Sequence, residues 1–197
     1  MSKLSLKDGS ESFDVTVLEV AAATRVVLFA VGGGGNPERH LPLLTSLAER
    51  GFTVVAPHFE RLVSPLPTDS DLLIRARRLR LALESVVRPG VPAAGVGHSI
   101  GTTMLLALVG GQVWMRSGQR LSISPVGCID RLVLLAPATD FFQAPGALDA
   151  VRTPILAWAA PRTSSRLLHK RSFLNIYSAL VYPWRYAWSR ALVISHS

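Results

Sequence analysis

The apolar positions between residues 13 and 159 fall into short runs that predict β-strands. Residues 13–20 alternate apolar and polar side chains, which is the period of a strand with one buried face. Residues 26–31 and 52–57 are instead continuous runs rich in valine, typical of a parallel strand covered on both faces. Similar runs predict three further strands, at residues 92–97, 131–136 and 153–159.

Segments with helical spacing separate these runs. Residues 37–51 begin with a proline and carry a stripe of leucines, and residues 69–88 carry a longer stripe made of Leu72, Ala76, Leu79, Leu83 and Val86. A third helix is predicted over residues 102–109. Strands that alternate with helices are joined by right-handed crossovers, so the sequence predicts an α/β fold, a mostly parallel sheet flanked by helices on both faces.

Two features interrupt this regular alternation. Residues 110–129 are predicted to form an irregular insertion with a small hairpin, in which residues 113–115 pair with residues 121–123. The 69–88 helix carries four arginines, a composition that suits either a nucleic-acid patch or the solvated face of a surface helix. We expect the solvated face and no nucleic-acid partner for these side chains, Arg75, Arg77, Arg78 and Arg80.

The composition fits one ordinary domain. Of the 197 residues 49% are hydrophobic and 17% are charged, which leaves ample material for a core. The single cysteine, Cys128, excludes a disulfide framework and a cysteine-based zinc site. The first eight residues are polar and show no secretory signal. We therefore expect a cytoplasmic protein without a metal or a cofactor.

The uncharged stretch at residues 89–115 is long enough to suggest a membrane span. It contains prolines, several glycines and a central histidine, His98, which argue against a transmembrane helix. A central strand followed by a central helix, both buried on all sides, explains the absence of charge better. We expect no transmembrane segment.

Charge divides the chain into two unequal regions. Residues 1–149 contain 14 basic and 13 acidic residues, whereas residues 150–197 contain 7 basic residues and no acidic one. All three tyrosines and three of the four tryptophans also lie in that last part. We therefore predict a core domain at residues 1–159 and an atypical basic, aromatic tail at residues 160–197 that is foreign to the fold.

One motif carries chemistry. The predicted strand at 92–97 ends in the sequence Gly97, His98, Ser99, Ile100, Gly101, and a helix follows at once. This is the Gly-x-Ser-x-Gly pattern in the strand–turn–helix setting that gives it meaning, a tight turn that projects the serine hydroxyl above the sheet. The same turn aims the Ile100 N–H, at the helix N-terminus, toward a developing oxyanion.

Four glycines, residues 32–35, follow the 26–31 strand at the sheet end where open α/β folds build their sites. Glycines let the backbone approach a substrate closely and offer a second N–H to an oxyanion. A glycine run also suits a phosphate, but this one lacks the Lys-Ser/Thr of a P-loop, and Asn36 and Pro37 interrupt dinucleotide-type spacing.

These residues resemble the α/β-hydrolase family, in particular its dienelactone-hydrolase-like and lysophospholipase-like members. The resemblance covers residues 13–159 and implies Ser99 as nucleophile, a small-molecule ester as substrate, and no cofactor. It also assigns the second oxyanion N–H to Gly33. The family's loop usually begins His-Gly, and here Val31 stands in place of the histidine.

The family's catalytic acid and base have no clear counterpart. The acid should follow the 153–159 strand, yet no Asp or Glu occurs after residue 149. Asp140 is a candidate acid, with an N-cap or surface role as the alternative. His98 points away from its neighbour Ser99 and cannot be the base, whereas His58 is either a possible base or a pocket-lining residue. His169 and His196 lack the expected Gly-His setting.

The tail permits a further hypothesis, a shift of reading frame near codon 160. Each codon of the alternative frame combines the third base of one residue with the first two bases of the next. In that frame residues 160–168 permit Pro-Ala-Asp-Val-Ile-Ala-Pro-Pro and residues 190–197 permit Gly-Ala-Gly-His-Phe-Ser-Phe, with a helix and a strand between. The fold's last helix and strand, the acid and the histidine would then be missing from the chain as it reads.

Two interpretations of the function and two of the tail stay open. The first is a serine hydrolase for an ester or related acyl substrate, impaired by the missing triad members. The second is a non-catalytic remnant or binding module that keeps the sheet and the elbow, which is the tight turn at residues 97–101. For the tail alone, the rival to a frameshift is a genuine basic, aromatic segment suited to a membrane surface or a nucleic acid. The sequence leaves the oligomeric state open.

Overall fold

A computed structural model describes residues 1–64, 66–159 and 192–194. The described residues form one eight-stranded sheet with the order β1-β2-β4-β3-β5-β6-β7-β8. The five strands from β4 to β7 run parallel, whereas β1, β2 and β8 are antiparallel to their neighbours. The strands are β1 (Ser2–Asp8), β2 (Glu11–Leu18), β3 (Arg25–Ala30), β4 (Phe52–Pro57), β5 (Ala93–His98), β6 (Ile129–Leu135), β7 (Ile155–Trp158) and β8 (Leu192–Ile194).

Three helices cover the sheet: α1 (Leu41–Glu49), α2 (Asp69–Glu84) and α3 (Ile100–Leu108). Leucines of α1 pack against one face of the sheet, and the buried residues of α2 and α3 pack against the other. Single 3-10 turns precede α1, at Pro37–His40, and follow β6, at Asp140–Phe142. The predicted fold, a mostly parallel sheet with helices on both faces, is confirmed.

The middle of the sheet explains the long uncharged stretch. Strand β5 and helix α3 are buried almost throughout, and every residue from Ile100 to Leu108 is buried. Among the described residues, no helix is both long and apolar enough to cross a membrane.

Helix α2 ends earlier than predicted, at Glu84 rather than at residue 88. The chain leaves the helix through Ser85, and Pro89 follows soon afterwards. The ring of a proline clashes with the helical carbonyl four residues earlier, which is that of Ser85 here, and this favours an end of the helix at that point. A small hairpin is present in the insertion, but its register differs from the prediction. Trp114 bridges to Arg120, and the Met115 N–H donates to the Gln119 carbonyl, so residues 113–115 lie opposite residues 119–121 rather than 121–123.

The first strand was not expected from the polar opening of the chain. Ser2–Asp8 pairs in register with β2 through a two-residue turn, in which Gly9 has a φ of +66°. The signal was present, since Leu4 and Leu6 alternate with polar residues before an Asp-Gly pair.

The expectation that the α2 arginines form a solvated face is wrong for two of the four. Arg75 is 3% exposed and Arg78 is 9% exposed. Arg78 pairs with Asp8 and with Glu11 on the β1–β2 hairpin, while Arg75 binds backbone carbonyls described below. A buried cation requires such partners, because desolvation of an unpaired charge is costly.

Most of the predicted tail lies outside the described residues. The proposals of a frameshift and of a missing last helix and strand therefore stay predictions. The described part, strand β8, pairs antiparallel with β7, with Leu156 opposite Val193.

Candidate active site

Ser99 lies in the turn between β5 and α3 with φ 52° and ψ −127°. It is one of two non-glycine residues with positive φ among those described, so the expected positive φ is confirmed. Its N–H donates to the carbonyl of Leu135 on β6 at 3.0 Å. Its carbonyl accepts from the N–H of Thr102 at 2.9 Å and from the Thr102 hydroxyl at 2.6 Å. Hydrogen bonds on both sides thus hold a backbone conformation that is unfavourable for an L-residue.

The two flanking glycines are required by space. A Cβ at Gly101 would stand 2.0 Å from the carbonyl oxygen of Ala30, at the end of β3. A Cβ at Gly97 would stand 3.0 Å from two backbone atoms of Thr102. Both positions lie where α3 crosses the strand ends, so no side chain fits without a shift of backbone.

The glycine loop after β3, residues 32–35, rests against this elbow. A Cβ at Gly32 would lie 3.3 Å from Cβ of Ser99 and 3.0 Å from Nδ1 of His98. The Gly35 N–H closes a turn onto the Gly32 carbonyl at 3.1 Å, and Gly35 has a φ of +78°. A Cβ at Gly35 would collide with the carbonyl of Phe59, 2.0 Å away.

Two backbone N–H groups beside the serine are available to a ligand. Within the described part of the chain, neither the Gly33 nor the Ile100 N–H donates a hydrogen bond. Gly33 is held at its other end, where its carbonyl accepts from Leu62 at 2.8 Å. Ile100 is the first residue of α3, whose N-terminal partial positive charge favours an anion.

Ser99, Gly33 and Ile100 line one cavity of about 1790 Å³. Asp140 lines the same cavity, so the structure brings together four of the residues singled out in the sequence. The remaining described wall mixes apolar side chains with charged ones, including Leu62, Val63, Leu66, Trp114, Met115, Phe141, Arg39, Arg61, Arg116 and Asp69.

The described histidines are not part of the cavity wall. His98 packs its ring 5.2 Å from that of His40, and burial lowers the pKa of both imidazoles. The His58 ring bonds to the Thr16 hydroxyl at 2.7 Å, and burial lowers its pKa as well. The expectation that His58 lines the pocket is therefore wrong, since its ring is bound to β2. His169 and His196 lie outside the described residues.

Asp140 occupies the first position of the 3-10 turn that follows β6. It is not the N-cap, because that position belongs to Thr139. Its carboxylate is exposed and forms no hydrogen bond or ion pair with another described residue. The position is compatible with the role of catalytic acid, which stays a prediction.

Sequence reasoning missed Arg75, which lies behind the glycine loop. Its guanidinium donates to the carbonyls of Gly32 and Glu60. A signal existed in the sequence: position 75 follows Leu72 by three residues and precedes Leu79 by four, within the buried stripe of the helix. Among the residues described, no three His, Cys, Asp or Glu side chains cluster to hold a metal ion.

Solved structures with a similar backbone are hydrolases by their names. An α/β serine hydrolase homologue from Coxiella burnetii superposes with a TM-score of 0.55 at 13% identity, covering 79% of this chain and 72% of that one. The thioesterase domain from the curacin biosynthetic pathway gives 0.52 at 20% identity, with coverage of 77% and 53%. A lipase in its open form gives 0.50 at 18% identity, with coverage of 68% and 43%.

These likenesses, together with the sheet order and the elbow, define the class: the chain has the α/β-hydrolase fold. At such low identity the architecture is shared, whereas a function depends on the individual site. The chain spans 44% of a carboxyl esterase from Bacillus coagulans and about half of the curacin thioesterase domain. No protein-family model and no curated protein matches the chain.

Proposed function

We propose that this protein is a serine hydrolase that acts on an ester or a related acyl substrate. The observation that carries the proposal is the geometry at Ser99, a positive-φ residue at a strand-to-helix turn. Gly33 and Ile100 line the same cavity as Ser99, and their N–H groups have no partner among the described residues. The names of the similar structures point to the same chemistry.

Each element of the site has a distinct role in this proposal. The Ser99 hydroxyl attacks the acyl carbon, and the carbonyl oxygen becomes an oxyanion that accepts hydrogen bonds from Gly33 and Ile100. The N-terminal end of α3 adds a favourable field at the same place. Apolar side chains such as Trp114, Met115 and Phe141 surround the acyl or leaving group.

The acid and the base are the incomplete part of the site. A serine hydroxyl is a weak nucleophile until a positioned base takes its proton. Asp140 lines the cavity, but no histidine among the described residues does. We propose that the alternative reading frame after about codon 160 encodes the missing acid and histidine. The chain as it reads then retains only the residual acceleration of an oxyanion hole and substrate binding, ~10³–10⁴-fold over water.

A fluorophosphonate probe tests the role of Ser99. We expect slow labelling of the chain that disappears in Ser99→Ala and persists in Ser70→Ala. Ser70 is a matched control because it is an exposed serine that lines the same cavity. Labelling that survives in Ser99→Ala would contradict the assignment of the nucleophile.

The same probe separates the hydrolase from the competing candidate, a non-catalytic remnant or binding module. This alternative is favoured by the lack of a cavity-lining histidine among the described residues. Labelling confined to a chain with the restored frame would establish the remnant for the chain as it reads. No labelling in either chain would refute the hydrolase proposal.

A further inference from the structure

Arg75 is a buried cation without an acidic partner. Arg75 lies in the second turn of α2 and is 3% exposed. Among the described residues, no carboxylate lies within ion-pair distance of it, unlike the neighbouring Arg77 and Arg78. Because burial of a charge is costly, a cation kept there needs other hydrogen-bond partners.

The guanidinium of Arg75 finds these partners in two loops. It donates to the carbonyl of Gly32 at 3.3 Å and to the carbonyl of Glu60 at 3.0 Å. Its carbon atom Cζ also lies 4.7 Å from the centre of the Phe59 ring, a cation–π contact. Arg75 therefore connects the glycine loop to residues 59–62, which themselves bond to Gly33 and Gly35.

The bond to Gly32 acts on the proposed oxyanion donor through one peptide group. The Gly32 carbonyl and the Gly33 N–H belong to the same planar trans peptide, so they point in opposite directions. The Gly32 oxygen accepts from Arg75 and from the Gly35 N–H. The two donors hold the carbonyl oxygen of this peptide in place. Because the peptide is planar, they also fix the direction of its N–H, at the opposite edge. A charged donor on the carbonyl also polarises the peptide and strengthens its N–H as a donor.

We propose that Arg75 is a positioning residue that fixes the Gly32–Gly33 peptide so that the Gly33 N–H faces the oxyanion. This inference rests on the proposed function of Ser99 and Gly33. A lysine cannot replace the arginine fully, because its ammonium does not supply the planar fork that reaches two carbonyls at once.

Helix α2 provides a matched control for this proposal. Arg78 lies three residues further on, is similarly buried, and holds Asp8 and Glu11 on the β1–β2 hairpin. It is not among the described residues of the cavity wall. Arg75→Met and Arg78→Met therefore each remove a buried cation from the same helix, and only the first removes a bond to the glycine loop.

The first measurement is the rate of Ser99-dependent reaction, with the fluorophosphonate and with p-nitrophenyl acetate. We expect Arg75→Met to lower kcat and the labelling rate by about 10–100-fold with little change in KM, since loss of an oxyanion donor reduces kcat by roughly 10²–10³-fold. Arg75→Lys should recover part of the rate, and Arg78→Met should stay within about twofold of the parent chain. Equal losses in Arg75→Met and Arg78→Met, or no loss in Arg75→Met, would overturn the proposal.

The second measurement does not depend on activity. The Gly35 N–H is bonded to the Gly32 carbonyl, so its hydrogen exchange, followed by NMR, reports the order of this loop. We expect exchange in Arg75→Met to be at least about tenfold faster than in Arg78→Met. If the parent chain shows no Ser99-dependent reaction, the proposed function fails while this comparison still decides the role of Arg75. Equal exchange in the two variants would refute the positioning role.

Discussion

Gly101 is the residue at which the elbow helix touches the central strand β3. The ideal Cβ position there is 2.0 Å from the Ala30 oxygen and 2.6 Å from the Ala30 carbonyl carbon. Both atoms belong to backbone that pairs with β5, so they cannot yield as a flexible side chain would. The closeness of α3 to the sheet, which brings Ser99 to the edge of the cavity, depends on this single missing methyl group.

Gly101→Ala is expected to destabilise the protein by about 3 kcal/mol or more, because the added methyl group forces apart two elements of the core. Urea denaturation at neutral pH measures this. Gly127→Ala is the control, since a Cβ there meets nothing within 4 Å and the residue has no positive φ. It should change the free energy of unfolding by less than about 0.5 kcal/mol. A similar effect in both variants would refute the steric account.

Helix α2 links the edge of the sheet to the glycine loop at the scale of whole elements. Arg77 and Arg78 bind the buried Asp8 at the end of β1, while Arg75 binds Gly32 after β3. The hydrogen bond from Arg77, opposed by burial and reinforced by that from Arg78, holds the pKa of Asp8 below its ordinary value. The ionised carboxylate is therefore the form that stabilises the fold.

Asp8→Asn should destabilise the protein by about 2–3 kcal/mol at pH 7, since it leaves the Arg78 charge without its buried partner. A carboxyl whose pKa is lowered in the folded state contributes stability above its unfolded pKa, near 4, and loses it as the pH falls through the folded value. The difference between the parent chain and Asp8→Asn should therefore shrink below about pH 4. Urea titrations at pH 7 and pH 3 measure it. Asp14→Asn, at an exposed position on β2, should show no such convergence.

How far the elements could be predicted depends on how local their signals are. The central strands and the elbow could be predicted because each signal is local. A continuous apolar run predicts a strand, and the Gly-x-Ser-x-Gly spacing predicts the elbow, from a few neighbouring residues. The burial of Arg75 and Arg78 was not, because their partners at Gly32 and Asp8 are distant in sequence. His58 was misplaced for the same reason, since its bond to Thr16 depends on the pairing of β2 with β4.

The chain combines a regular, parallel centre of the sheet with a C-terminal region of different amino-acid composition. The parallel strands β3, β5 and β6 carry the glycine loop, the elbow and the Asp140 turn at one edge, as open α/β sheets do. The residues after 149 contain no acidic side chain. A catalytic acid that follows β7 therefore cannot come from the chain as it reads.

Restoring the alternative frame after codon 159 should raise kcat for p-nitrophenyl acetate by two or more orders of magnitude, because it returns an acid and an imidazole together. Steady-state kinetics on both chains measures this. Ser99→Ala in the restored chain should abolish the gain. Equal rates in the two parent chains would contradict the missing-triad argument and would leave His169 and His196, which lie outside the described residues, as the candidate bases.

The hydrogen bond from the Ser99 N–H to the Leu135 carbonyl has a consequence for biosynthesis. The ribosome makes the elbow sequence well before it makes β6, so a nascent chain that ends before residue 135 lacks the acceptor that helps hold Ser99 at positive φ. Pairing between strands that are distant in sequence is slow compared with the formation of a local helix. The elbow therefore reaches its final shape late in translation, after about two-thirds of the 197 residues have been joined. Until then the Gly-His-Ser-Ile-Gly segment lacks one of the hydrogen bonds that hold Ser99 at positive φ in the folded chain.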